Sequence, residues 1–258
     1  MSEASTARKM GLAALMLSAG ILLSRLLGYL REAIIAYQQG AGMETDAYNA
    51  AFLLPDLMNY FLAGGTLSIT FIPLFSSFVA KDREADGWRL FSTIATVMGG
   101  ILLAGIVLAE VFAPTLVPLL FPGFDGEATA RTVELTRIVL PCQLFHYLGG
   151  LVLATLMAKG RFAAATLAPL VYNGCIVVFG LALGPSMGMA GFAVGALVGS
   201  VLGPFGLSLF LARDIIRFRP SLAVRNASFA KYVLLTLPLM IGVSLMTVDE
   251  WLNLTIKV

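Results

Sequence analysis

The chain has 258 residues and a formal charge of +2, with 59% hydrophobic and only 12% charged residues. Soluble domains carry about 25% charge, so this composition, with a mean hydropathy of +0.89, excludes a soluble enzyme and a disordered chain. The small net charge gives no reason to expect a nucleic-acid partner. At about 20 apolar residues per crossing, the length has room for roughly seven membrane spans.

The first apolar stretch, residues 11–38, follows a basic tail with Arg8 and Lys9. It continues past Ser24-Arg25 without a small-residue cleavage pattern, so it reads as a retained span rather than a removed signal. Residues 47–79 are too long for one straight crossing and contain Pro55, Gly64-Gly65 and Pro73. Breakers are tolerated in a span only where the freed backbone finds protein or water, which predicts a bent helix lining a cavity. A third span is expected over 88–112, then a Pro-punctuated interfacial loop or short surface helix over 113–126. Spans four and five follow over 133–158, with Pro141, and 162–184, with Pro169. Span six, 189–212, carries Gly191, Gly195, Gly199 and Gly203 at intervals of four, a flat ridge for close helix approach. Span seven, 232–254, contains Pro238. Cys142 and Cys175 lie in apolar stretches without a CxxC pair and read as packing thiols.

Loop charge sets the orientation. Arg8 and Lys9, then Lys81, Arg83 and Arg89, then Lys159 and Arg161, then Arg213, Arg217, Arg219, Arg225 and Lys231 fall in alternate loops, holding twelve of the seventeen basic residues. The intervening loops hold Glu44, Asp46, Asp125, Glu127 and Arg131. Positive charge is retained inside, which predicts a cytoplasmic N-terminus in a multi-pass protein. The division expected is 1–212 as a six-helix lobe, 213–231 as a basic cytoplasmic linker, and 232–258 as the first helix of a second lobe. The linker also reads as a basic loop held near anionic headgroups.

Enzymatic signatures are scarce. There is no GxxxxGK[ST], no HExxH, and the single histidine, His146, has no ligand-spaced companion. Arg25 and Arg31, with Glu32, stand out inside span one. A guanidinium in the bilayer costs at least about 2.5–3.5 kcal/mol, so both should face protein or water, where an anion offsets the cost. The planar fork binds phosphate oxygens through paired hydrogen bonds. The alternative is structural pairing with Glu32 or Asp46. Asp46 reads either as the N-cap of the second span or as a gate partner for these arginines. Asp249 and Glu250, late in span seven, read as a cation or proton site or as residues nearing the interface.

The run Ser24-Arg25-Leu26-Leu27-Gly28-Tyr29-Leu30-Arg31-Glu32, then Gly40-Ala41-Gly42 and Thr45-Asp46-Ala47-Tyr48, closely resembles the start of the MurJ/MviN lipid II flippases. Ala51-Phe52-Leu53-Leu54-Pro55-Asp56-Leu57, Gly65-Thr66-Leu67-Ser68 and Phe71-Ile72-Pro73-Leu74-Phe75 extend the match. The family belongs to the multidrug/oligosaccharidyl-lipid/polysaccharide exporter superfamily. The resemblance implies an all-α membrane protein in which two six-helix lobes face each other across a cationic cavity. It implies that Arg25 and Arg31 take the places of two cavity arginines and that Asp46 matches the family's aspartate. Asn59 and Gly64-Gly65 depart from members that carry an arginine and a Glu-Gly pair there, leaving Asn59 a neutral substitute. Asp249 corresponds to a sodium ligand of some relatives.

Family members are about twice this length, so the chain reads as an N-terminal part whose C-terminal lobe is missing, inactive in transport alone. The function implied is a flippase, not an enzyme. It would move undecaprenyl-diphosphate-linked peptidoglycan precursor (lipid II) to the outer leaflet of the bacterial inner membrane by alternating access. Membrane lipids would surround it, no cofactor is implied, and coupling is to sodium or the membrane potential. The alternatives are export of another polyprenyl-linked oligosaccharide or a drug, or a polyprenyl-phosphate transferase, which would need an acidic metal cluster not found in the sequence.

Overall fold

The computed structural model describes residues 3–62 and 67–239. Among them the chain is helical, with no strand. We number the helices α1 (Glu3–Gln39), α2 (Met43–Ala51), α3 (Leu53–Leu62), α4 (Ile72–Ala80), α5 (Glu84–Leu120), α6 (Gly126–Val139), α7 (Cys142–Ala158), α8 (Ala163–Met187), α9 (Met189–Ser200), α10 (Ser208–Ala212) and α11 (Ala227–Leu239). Among the described residues, Glu84–Leu120, Gly126–Ala158, Ala163–Met187 and Met189–Ala212 are long and apolar enough to cross a membrane.

The second expected span is interrupted rather than one continuous helix; its Gly64-Gly65 pair lies outside the described residues. Phe52 separates α2 from α3, and a π-helical turn, Leu67–Phe71, leads into α4 with Pro73 in its first turn. A proline there removes an N–H that had no helical partner. Span six also passes through a π-helical turn, Val201–Leu207, around Pro204.

The third span departs from expectation. The Pro-punctuated piece 113–126 is no loop for most of its length: α5 continues through Pro114 and Pro118 to Leu120. Proline's fixed φ is already helical, and buried Ala113 and Val117 anchor that face. At 37 residues, α5 runs about 55 Å, beyond the ~30 Å hydrocarbon slab. The fourth span starts earlier than expected, at Gly126, where the Asp125 carboxylate accepts from the Ala128 N–H at 2.8 Å, an N-cap that satisfies an orphan donor. It breaks at Leu140-Pro141 between α6 and α7.

The glycine ridge packs as its spacing predicts. A Cβ on Gly199 would sit 2.7 Å from the Tyr172 carbonyl, and one on Gly203 2.6 Å from that of Ala168. Gly191 and Gly195 meet α8 backbone in the same way. The interior divides into two clusters. One gathers Phe71, Phe75, Trp88 and Phe91 with Leu151 and Leu156; the other gathers Ile35, Tyr48, Leu135, Ile176 and Phe192. Cys142 is buried in the second and Cys175 is half-buried; both are free thiols.

The loops sort by end. Lys159 Nζ meets Glu84 at 2.6 Å and Arg161 meets Asp214 at 2.8 Å, so the loops after α4, α7 and α10 share one end, the basic one. Arg131 meets Glu44 at 2.8 Å and the Met187 carbonyl at 3.1 Å, joining α2, α6 and the α8–α9 turn at the other. The alternation read from loop charge is therefore the alternation of the helices.

Candidate functional site

The site grows from the face that α1 turns to α8. Gly20 abuts Thr166, and Ser24, Arg31 and Ile35 follow on the same face at heptad and four-residue spacing. Asn173 of α8 joins them: its side-chain carbonyl accepts from Arg31 Nη1 at 3.3 Å, and its amide donates to Ser24 Oγ at 3.4 Å and to the Pro169 carbonyl at 3.1 Å. Arg31 Nε and Nη2 donate to one oxygen of Glu32, at 3.1 and 2.7 Å. The Arg31 side chain is 28% exposed and that of Glu32 59%. A guanidinium carries five N–H donors in a fixed fork, and these contacts use three. Arg31 is thus held in place with donors to spare, beside a counter-ion that water can still reach.

Arg25 lies six residues earlier, about 120° around the helix from Arg31. It is exposed, and among the described residues it has no hydrogen-bond or ion-pair partner. The two arginines are not drawn into one hydrogen-bonded cluster: one is braced against α8, the other stands on an open flank. Glu32 lies seven residues from Arg25, nearly on the same face and about 10 Å along the axis.

Asp46 is not the N-cap. Gly42 holds that position without a side-chain bond, and Asp46 lies exposed in the first turn of α2. A carboxylate there still interacts favourably with the helix dipole. It borders a shallow depression of about 380 Å³ with Asn49, Leu53, Phe121 and Phe124, and it pairs with neither arginine. Asn59 is exposed on α3, one turn after exposed Asp56. Asp249 and Glu250 lie outside the described residues. His146 stands edge-on to Tyr172, with ring centroids 5.0 Å apart.

Two constellations escaped the sequence reading. At the end away from the basic loops, Arg131 makes a forked contact to Glu44 at 2.8 and 3.0 Å and reaches Glu134 at 2.7 Å. Eighty-seven residues separate Arg131 from Glu44, and neither stretch of sequence carries a signal that pairs them. At the basic end, the segment after α10 is a strap laid on α5, not a free loop, and α11 already begins at Ala227. The Arg219 N–H donates to Ser92 Oγ at 3.1 Å, the Ser221 N–H donates to Thr96 Oγ1 at 3.2 Å, and Phe218 stands edge-on to Phe91. The signal was Ser92, Thr93 and Thr96, three hydroxyls on one face of an otherwise apolar span.

Comparison with known proteins places this arrangement. A family model described as "Lipid II flippase MurJ" matches residues 35–257. A probable lipid II flippase MurJ of Rhizobium meliloti is 35% identical over 164 residues, covering 60% of this chain and 29% of that protein. One of Aquifex aeolicus is 26% identical over 194 residues, covering 73% of this chain and 38% of its own length. Among solved structures, a lipid II flippase MurJ in an inward closed conformation superposes with a TM-score of 0.73 at 22% identity, over 89% of this chain and 47% of that one. A MOP superfamily transporter from Pyrococcus furiosus superposes at 0.68 and 16% identity, over 93% of this chain and 54% of that one. The matches thus span about a third of the curated relatives' lengths and about half of the solved ones. The fold is all-α, with four helices among the described residues long and apolar enough to span a membrane, arranged as in these helical exporters. With a family model matching 223 of its residues, the chain belongs to the MurJ lipid II flippase family.

Proposed function

We propose that this chain forms one wall of a path by which the diphosphate headgroup of undecaprenyl-linked peptidoglycan precursor crosses the bacterial inner membrane, from the cytoplasmic to the outer leaflet. A second lobe supplies the other wall. The diphosphate needs cations away from hydrocarbon, while its lipid tail stays in the bilayer. Arg31 supplies a pre-aimed fork, and Arg25 a second cation on the flank open to the facing lobe. Glu32 serves as the resident counter-ion, which incoming phosphate oxygens displace. Asp46 and Asn59 complete the polar lining toward the outer end. The basic loops lie in the cytoplasm, where anionic lipids hold them, and rocking of the lobes opens the path to each side in turn. The inside-negative potential favours outward passage of each negative charge by about 2.3 kcal/mol per 100 mV. Asp249 is assigned as a sodium ligand that couples transport.

The observation that carries this reading is the Arg31 fork, anchored by Asn173 and Glu32 with donors left over. The test is complementation of a flippase-depleted strain by a two-lobe protein carrying Arg25→Ala or Arg31→Ala. Loss of growth with each is expected; normal growth with either would sink the assignment.

A further inference from the structure

A second cationic site lies at the basic end, away from Arg25 and Arg31. Between the strap and the first turns of α5 is a cavity of about 710 Å³, bordered by Arg89, Arg217 and Arg219 with Trp88, Phe218 and Asn226. Among the described residues no carboxylate lines it. The acids beside it are shared with other groups: Glu84 is held by Lys159 at 2.6 Å and by the Trp88 indole at 2.9 Å, and Asp86 by Arg83 at 2.8 Å and by Arg89 itself at 3.5 Å. The side chains of Arg217 and Arg219 make no hydrogen bond or ion pair among the described residues. Arg89 shares Asp86 with Arg83 and Arg217 lies within the field of Glu84, so the three guanidinium groups are partly neutralised and still outnumber the acids beside them, a net positive cradle for phosphate oxygens.

The strap's sequence says where the phosphate comes from. Phe218, Leu222 and Val224 are exposed at 48%, 75% and 48%, interleaved with Arg217, Arg219 and Arg225. Bare apolar side chains among cations suit the headgroup boundary of a bilayer, not bulk water. α5 exceeds the hydrocarbon slab in length, and the charges of Glu84, Asp86 and Arg89 suit its first turns to headgroup depth. We propose that this cavity binds the phosphodiester headgroup of an anionic membrane phospholipid, which seats the strap on α5 as the strap's apolar side chains enter the interface.

The full chain, purified in detergent, is titrated with phosphatidylglycerol, with zwitterionic phosphatidylcholine and with inorganic phosphate, and bound species are counted by native mass spectrometry. The site should retain phosphatidylglycerol in preference to phosphatidylcholine. Arg217→Ala/Arg219→Ala should weaken that retention roughly tenfold, whereas Arg137→Ala, on α6 and outside both the cavity lining and the basic loops, should leave it close to the parent. Circular dichroism of the double variant should match the parent, and if it does not, Arg217→Gln/Arg219→Gln replaces it. Equal retention of the two lipids, unchanged retention by the folded double variant, or displacement of the lipid by inorganic phosphate would each overturn the proposal.

Discussion

Arg131 and Arg31 are both partly buried, at 20% and 28% side-chain exposure, yet they are satisfied in opposite ways. Arg131 is locked between two carboxylates from different helices and a backbone carbonyl, so its charge is neutralised and its work is to hold three segments together. Arg31 has one carboxylate, from its own neighbour in sequence, and a neutral amide. Arg25 has neither. Local neutralisation separates architecture from availability: a cation whose field is cancelled by the fold has little left for a ligand, and a cation held by neutral groups keeps it.

Substitutions should split along that line. The largest effect is expected for Arg25→Ala and Arg31→Ala in a two-lobe protein: transport measured by complementation is lost, while the melting temperature of Arg25→Ala stays near the parent value because that side chain is exposed and makes no hydrogen bond or ion pair among the described residues. Arg131→Ala should do the reverse, lowering unfolding free energy by about 2 kcal/mol through lost charge-assisted bonds, with transport falling only as far as abundance falls. A double-mutant cycle with Glu44→Ala would check that the two residues act together. A smaller loss is expected for Asn173→Ala, which frees the Arg31 fork without removing its charge. Transport should drop several-fold, and Asn173→Gln should not restore it, since the longer side chain displaces the amide.

The smallest effect belongs to the exposed Arg161–Asp214 pair. The Arg161 hydrogen bond holds the Asp214 carboxyl below its ordinary value. That contribution is present above the ordinary carboxylate pKa and lost as pH falls through the depressed one. Melting curves from about pH 7 down to about pH 3 should show a slightly shallower acid loss for Asp214→Asn than for the parent, and no difference near neutrality beyond the constant offset of the missing pair.

Among the described residues the order of the apolar helices and the ends of their loops were legible in the sequence, because hydropathy and loop charge are summed over many residues and tolerate local error; most of the seventh span lies outside them. The glycine ridge was legible for a related reason: a repeat of four on a helix admits one geometry. What failed was local. Pro114 and Pro118 resembled loop punctuation, yet buried Ala113 and Val117 keep α5 helical around them. Asp46 resembled a cap, but the chain turns at Gly42. Long-range partners left almost no trace. Asn173 is one amide in an apolar run, and nothing in that run says it faces Ser24 and Arg31 across the helix boundary. The motif in α1 flagged the arginines; the fold alone supplied the partner that tells the two apart.

The ridge has a reach beyond its own contacts. Asn173, which aims the Arg31 fork, directly follows Tyr172, and the Tyr172 carbonyl sits where a methyl on Gly199 would intrude at 2.7 Å. The absence of an atom on one helix therefore fixes the address of a charge two helices away. A single added methyl at Gly199 would push α8 outward, carry the amide with it, and detune the guanidinium without touching it.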